Sequence, residues 1–382
     1  LSYGDCLLIP PGIPHFPEVL SEYDPDTFYW PASPSSGGSF DEPNDPNRGD
    51  VHYWEVWHGN KPFSEYRKYF FRYASEFGFQ SFPSVKTLET VTDDPKELNP
   101  FSYVMEKHQR NYGGNGKIAK YMQAAYRYPE NFSDFVYASQ LLQADGIRYG
   151  VEHYRRNRGR CMGAIYWQLN DCWPVISWSS IDYYGRWKAL HYYAKRFFAP
   201  VMLSCEEQSW MTVEADMNRQ HFEFEKSIRL NVTNETLDAH RVLVKWAVRK
   251  TDATILREEE QWLEVPALSA VWMDKVELPQ IDCFNEYVSY EAWENDQIIS
   301  QGTVIFSYPK YFRYLNPGLT VRVDGDEIVV KAEAYAKSVE IRNENDDLIL
   351  EDNYFDMNAG EYRVKILDGK PDGLKVRSVY DI

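Results

Sequence analysis

The sequence has no apolar run approaching eighteen residues, which removes a membrane-spanning helix as an organising element. It is short of positive charge: 41 Lys and Arg stand against 58 Asp and Glu, a formal net charge of −17. Nucleic-acid binding calls for a basic footprint, and anionic lipid surfaces favour basic patches, so both partner classes are disfavoured. The five cysteines, Cys6, Cys161, Cys172, Cys205 and Cys283, have no metal-ligand or redox spacing and are odd in number, so a disulfide framework is not expected and they read as free thiols. The chain opens at Leu1 with neither an initiator methionine nor a leader, and it reads as a piece of a longer protein.

What is present in quantity is aromatic surface. Aromatics make up 16% of the residues, with 12 Trp and 29 Tyr. That composition serves large cores, and it also suits sugars, whose ring faces stack on indole and phenol rings. At 382 residues and 43% hydrophobic content, the chain is long enough for two or three domains.

The patterning changes near Pro200. Before it, helical segments alternate with short apolar strands: candidate strands at Thr27–Ser36, Val51–Trp57, Tyr73–Phe79 and Cys161–Leu169, and candidate helices at Ser64–Arg72, Pro100–Arg110, Lys117–Tyr126, Phe132–Arg156 and Tyr184–Phe198. "PPGIPHFPEVL" at the start reads as irregular. Alternation of this kind is the mark of parallel α/β units. A complete (β/α)8 barrel needs about 250 residues and eight strands, so four strands in residues 1–201 fit the second half, strands 5–8, of a TIM barrel. Beyond Pro200 the period is two. Segments such as "RVLVKWAVRK" and the "EYVSYEAWEND/QIISQGTVIFS" hairpin predict one Ig-like β-sandwich over 202–307, and a smaller one follows over 308–382.

Parallel α/β architectures carry their chemistry at the C-terminal ends of the strands. Those ends offer Trp30 and Ser33, then His52, Tyr53, Trp54, Trp57 and His58, then Glu76, then Trp167, Gln168, Asn170 and Asp171. One carboxylate ringed by Tyr, His and Trp fits glycoside hydrolysis, in which a retaining enzyme uses an ionised carboxylate nucleophile and a second carboxyl as acid/base. The structural alternative is an acid neutralised by a neighbour such as Arg72. Asp45 and Asp50 around Asn47 invite a calcium reading, but their spacing is unspecific and favours an ordinary polar loop.

The stretches "VHYWEVWHG", "SEFGFQSFPS" and "GAIYWQLNDCWPVISWSSIDYYGRWKALHYYAKRFFAPV" resemble the beta-mannosidases of glycoside hydrolase family 2, strongly over Pro25–Val201. The resemblance implies a retaining, exo-acting beta-mannosidase that removes terminal non-reducing β-D-mannose from oligosaccharides and needs neither metal nor cofactor. It assigns Glu76 as nucleophile, Tyr53 as the hydroxyl that hydrogen-bonds it, and Trp167, Trp54 and His58 as substrate-binding residues. The family's Asn-Glu acid/base pair has no counterpart here, so the acid/base is not in this chain. The implied partners are a β-mannoside oligosaccharide and the missing N-terminal part of the same enzyme, without which this piece is expected to be inactive. A beta-galactosidase or beta-glucuronidase specificity, or a non-catalytic sugar-binding fragment, are the alternatives. The expected compartment is the bacterial periplasm or the exterior, or the lysosome in a eukaryote.

Overall fold

The computed structural model describes residues 12–30, 32–37, 41–213 and 223–382. Cys6 lies outside them. The remaining four cysteines are free, with Cys161 and Cys205 buried and Cys172 exposed.

The first region is built on very short parallel pairing. Strand β1 (Val51–His52) pairs in parallel with β2 (Ala74–Glu76), and Ala74 continues the layer through a parallel bridge to Ala164. Two of the expected strands are therefore reduced. In the Thr27–Ser36 segment, the described residues contribute one bridge, Ser35 to Asp50, and it is antiparallel. Prolines at 31 and 34 remove the donors a strand would need there. Cys161–Leu169 contributes single bridges at Cys161 and Ala164, and Ile165, Trp167 and Leu169 are each about half exposed. The run reads as buried because it is apolar on both faces, yet only one of its faces is covered here.

The helices are α1 (Gly12–Tyr23), α2 (Val85–Leu88), α3 (Tyr103–Lys107), α4 (Gly114–Ala125), α5 (Phe132–Arg156) and α6 (Ala189–Phe197). Helix α1 replaces the irregular segment expected around Pro14 and Pro17. The helix expected from Ser64 is a 3-10 turn over Phe63–Arg67 whose N-cap is Pro62. Helix α5 follows its sequence signals closely. Asn131 Oδ1 accepts from Asp134 N–H at 3.0 Å, Asp134 sits in the first turn, and His153, Arg155 and Arg156 sit in the last, each in its favourable place on the helix dipole. The helix lies close against β2, since a Cβ on Gly150 would stand 2.9 Å from the Phe77 ring. Any larger residue would push helix and strand apart.

The rest is antiparallel. The first sandwich packs the sheet β10-β9-β5-β6 on the sheet β3-β4-β7, with β8 also paired to β4. These strands are β3 (Val201–Gln208), β4 (Ser227–Asn234), β5 (His240–Lys250), β6 (Ile255–Val265), β7 (Ser269–Trp272), β8 (Val276–Glu277), β9 (Glu286–Glu294) and β10 (Gln297–Ile305). Val242, Val244, Trp246 and Val248 point inward from β5 at period two and meet Leu230, Val232, Val288 and Tyr290. Asn295 and Asp296, both with positive φ, join β9 to β10 as the tight two-residue hairpin their sequence predicts. The acidic "REEEQWLE" run falls on β6, an exposed edge strand.

The second sandwich pairs β11 (Thr320–Asp324), β12 (Glu327–Ala332), β16 (Gly360–Asp368) and β14 (Ile349–Leu350) in one sheet and β15 (Phe355–Met357), β13 (Ala336–Arg342) and β17 (Lys375–Arg377) in the other. Its apolar interior, including Ile328, Val330, Val339 and Phe355, is continuous with that of the helical region, whereas the first sandwich keeps a core of its own. The first sandwich is tied to the helical region by Met202 of β3, which joins that interior, and by charge. Arg67 Nη2 pairs with Glu207 Oε2 at 2.7 Å, and the Tyr149 hydroxyl donates to the same carboxylate. Burial would raise the Glu207 carboxyl, but Arg67 and Tyr149 outweigh it and hold it below the ordinary range. Asn131, Asn231 and Asn234 each open an Asn-X-Ser/Thr tripeptide, but Asn231 and Asn234 are fully buried in β4 and Asn131 is spent as a helix cap.

Candidate active site

Glu76 ends β2, and its neighbours come from the end of β1. Trp54 donates its indole N–H to Glu76 Oε2 at 3.1 Å, and His52 Nδ1 stands 3.3 Å from the same oxygen. The backbone holds the two strand ends in register, with Tyr53 N–H donating to the Glu76 carbonyl at 2.7 Å. Arg72, the cation that would have neutralised Glu76 as a structural acid, forms no ion pair with it among the described residues.

Tyr53 does not meet Glu76 through its side chain. Its hydroxyl donates to Glu65 Oε1 at 3.2 Å, and its ring is buried among Tyr66, Tyr69 and Phe71. Burial, followed by the adjacent Glu65, pushes its pKa well up. The cause is the pleat: successive side chains of a strand point to opposite faces, so residues 52 and 54 share one face and 53 takes the other. The hydrogen bond expected from Tyr53 is supplied by Trp54. His52 is among the strand-end residues of the sequence, and the same alternation pairs it with Trp54.

Trp167 stands on the neighbouring segment. Its N–H donates to the Phe77 carbonyl at 2.8 Å, its indole is 43% exposed, and a cis peptide bond links it to Gln168. His58 is exposed, donates its N–H to the Trp54 carbonyl at 2.7 Å, and lies 5.2 Å from the Trp54 ring, so it touches the site through Trp54 rather than through Glu76. Partial desolvation, with Lys117 nearby, lowers its pKa even though the residue is exposed. Gly78, two residues beyond Glu76, has no positive φ. It is small because a Cβ there would stand 2.5 Å from the Trp167 carbonyl oxygen and 3.0 Å from both the Trp54 and Trp178 rings. The backbones of the Glu76 and Trp167 segments can approach only because that atom is missing.

Behind the site lies Asp50. Its Oδ1 accepts from Trp30 Nε1 at 3.0 Å and Ser35 N at 2.9 Å, and its Oδ2 accepts from the hydroxyls of Ser33 and Ser75. Burial acts to raise this carboxyl, and the four hydrogen bonds outweigh it, so the pKa lies below the ordinary value. Asp45 is occupied by Arg48, at 2.7 Å from its Nε, so the two loop carboxylates serve internal partners separately.

Comparison with known proteins bears on the chain as a whole and on its sandwiches. Residues 226–311 match the Mannosidase Ig/CBM-like domain family and residues 314–382 match an Ig-fold domain family. Beta-mannosidase B of Aspergillus terreus is 29% identical over 370 residues, covering 92% of this chain and 43% of that protein. Beta-mannosidase B of Thermothelomyces thermophilus is 29% identical over 392 residues, covering 95% and 45%. Among solved structures, the beta-D-mannosidase of Dictyoglomus thermophilum superposes with a TM-score of 0.81 at 27% identity, over 95% of this chain and 44% of that one. The chain thus spans somewhat under half the length of the relatives it matches. No described helix is long and apolar enough to cross a membrane. Matched along almost all of its length, and by both mannosidase-type Ig domains, the chain is a homologue of the beta-mannosidases of glycoside hydrolase family 2 and corresponds to their C-terminal part.

Proposed function

We propose that this chain supplies the nucleophile half of a retaining exo-beta-mannosidase, and that Glu76 is the nucleophile. The observation that carries the reading is the convergence of Trp54 Nε1 and His52 Nδ1 on one oxygen of Glu76 at the C-terminal end of a parallel strand. Two groups on Oε2 fix the carboxylate's rotamer and leave Oε1 without a donor among the described residues, the state a nucleophilic oxygen needs. In the proposed cycle, Glu76 attacks the anomeric carbon of a terminal β-mannoside and forms a covalent mannosyl-enzyme. An activated water then releases mannose. Trp167 would offer an indole face to the sugar, with Trp54 and His58 on the opposite wall.

The architecture proposed for the whole protein is a TIM barrel of which residues 1–201 form the second half, followed by sandwiches over 202–307 and 308–382. The exposed faces of Ile165, Trp167 and Leu169 support that reading, because a barrel would close over such side chains. The acid/base carboxyl would come from the other half, about 5–5.5 Å from Glu76 across the scissile bond.

The test is made on the whole protein that carries this chain, assayed on aryl β-mannoside, β-galactoside and β-glucuronide. Turnover of the mannoside is expected to dominate. Glu76→Gln is expected to lose turnover by several orders of magnitude while retaining its fold. Glu76→Ala should regain cleavage of an activated mannoside with azide, which would enter the vacated space and give the α-mannosyl azide. Retention of wild-type turnover by either variant overturns the assignment.

A further inference from the structure

The groups around Glu76 contain a proton-counting constraint. Asp50 accepts hydrogen bonds from Ser33 Oγ, Ser75 Oγ, Trp30 Nε1 and Ser35 N, and an ionised carboxylate has no proton to return. Each hydroxyl has a single proton, and at 2.5 Å from Asp50 Oδ2 the Ser33 proton is committed to it. Ser33 Oγ therefore has only lone pairs left for His52 Nε2, 2.8 Å away. It follows that His52 Nε2 carries a proton and donates. The other ring nitrogen, Nδ1, faces Glu76 Oε2 at 3.3 Å, where Trp54 Nε1 already donates. If the ring were neutral, Nδ1 would present a lone pair to a carboxylate oxygen, which is repulsive.

From this we infer that Asp50 and Ser33 form a positioning relay that fixes the His52 tautomer, so that His52 and Glu76 hold one proton between Nδ1 and Oε2. Ser33 is not a nucleophile in this arrangement. In a serine-hydrolase triad the histidine lies between serine and aspartate, whereas here the serine lies between aspartate and histidine. The relay gives the two oxygens of Glu76 different roles, with Oε2 bound by the shared proton and the indole N–H, and Oε1 left to attack. Of the charged groups packed about the ring, Glu76 faces it from β2 at ion-pair distance and Asp50 stands behind Ser33. The backbone N–H of His52 is separately taken by Asn44 Oδ1 at 2.9 Å, which fixes the main chain independently of the ring.

The inference rests on Glu76 as the nucleophile for its catalytic meaning, but its test does not require turnover. The whole protein is labelled with 15N-histidine, and the His52 ring signals are assigned by their loss in His52→Gln. As pH is raised through the ring's titration, the wild type is expected to keep the proton on Nε2 and lose the one on Nδ1. Ser33→Ala removes the acceptor for Nε2, so the neutral ring should switch to the other tautomer, keeping Nδ1–H toward Glu76 and losing Nε2–H. Ser33→Thr, which keeps the hydroxyl, should restore the wild-type order, and unchanged signals from the other histidines report an intact fold. In parallel, kcat on an aryl mannoside should fall in Ser33→Ala with KM unmoved and return in Ser33→Thr. A wild type that loses Nε2–H first, or a Ser33→Ala protein with the wild-type order, overturns the relay. If the order is as expected while Glu76→Gln still turns over, the relay stands and the nucleophile reading fails.

Discussion

The two halves of this molecule carry their information in opposite ways. In the sandwiches, strands run up to the eleven residues of β5, His240–Lys250, and each is held along its length by neighbours. In the parallel region, β1 and β2 are two and three residues long, and the chain beyond them is held by single hydrogen bonds and by close backbone contact. A long antiparallel strand declares its two faces by repetition. Two or three residues of parallel strand cannot, so which side chain meets Glu76 is decided by the local pleat alone. The candidate site lies at the ends of two such short strands, where side chains are free to converge.

That contrast can be broken most severely at the joint between the halves. Arg67→Ala would leave Glu207 buried without its partner, an expected loss of about 3–5 kcal/mol in the denaturant midpoint analysis, with the sandwich core itself unchanged. A loss under about 1 kcal/mol would mean that the ion pair does not couple the two regions. Next in size is Gly78→Ala, which forces a Cβ against the Trp167 carbonyl and the Trp54 ring. An overpacking cost of about 1–3 kcal/mol is expected, together with a fall in kcat, because the displaced groups are those around Glu76. An equal-sized destabilisation within the sandwiches should leave kcat alone. Asn131→Ala should cost about 1 kcal/mol through loss of the α5 cap, read by thermal unfolding.

A separate effect is one of pH. Burial pushes the Lys188 ammonium down to about 8, while the unfolded chain holds that proton to about 10.5. Between those values the unfolded state binds more protons than the folded one, so stability attributable to Lys188 rises with pH through that window, and the cost of burying its charge is present in full below it. Lys188→Met should flatten that segment of the stability–pH curve. An unchanged slope would place the titration elsewhere.

The legibility of the sequence follows the same division. Helix α5 was readable to its ends because Asn131 caps it, its apolar residues recur at helical spacing and cations gather in its last turn. The β9–β10 hairpin was readable because Asn295-Asp296 adopts the positive φ values a two-residue turn demands. The Cys161–Leu169 run predicts a strand but forms only single bridges, because an apolar run does not say whether both of its faces are covered. Glu76 stands out by its motif, but the expected hydrogen-bond partner, Tyr53, lies one residue from the group that meets it, Trp54. Counting alternate residues from His52 puts Trp54 on the face that meets Glu76 and Tyr53 on the other. Ser33 and Asp50, which sit 17 residues apart in a proline-rich and glycine-rich loop, carry no periodic signal and become related only when Ser35 bridges to Asp50.

The central claim is that Glu76 is the residue that becomes covalently glycosylated. The direct measurement is to treat the whole protein with a 2-deoxy-2-fluoro-mannosyl fluoride, digest it, and locate the adduct by mass spectrometry. The account predicts a single fluoromannosyl ester on the peptide containing Tyr73–Ser81, at Glu76, with activity lost in proportion to labelling. An adduct on any other carboxylate, or a turning-over enzyme that never accumulates one, would contradict it.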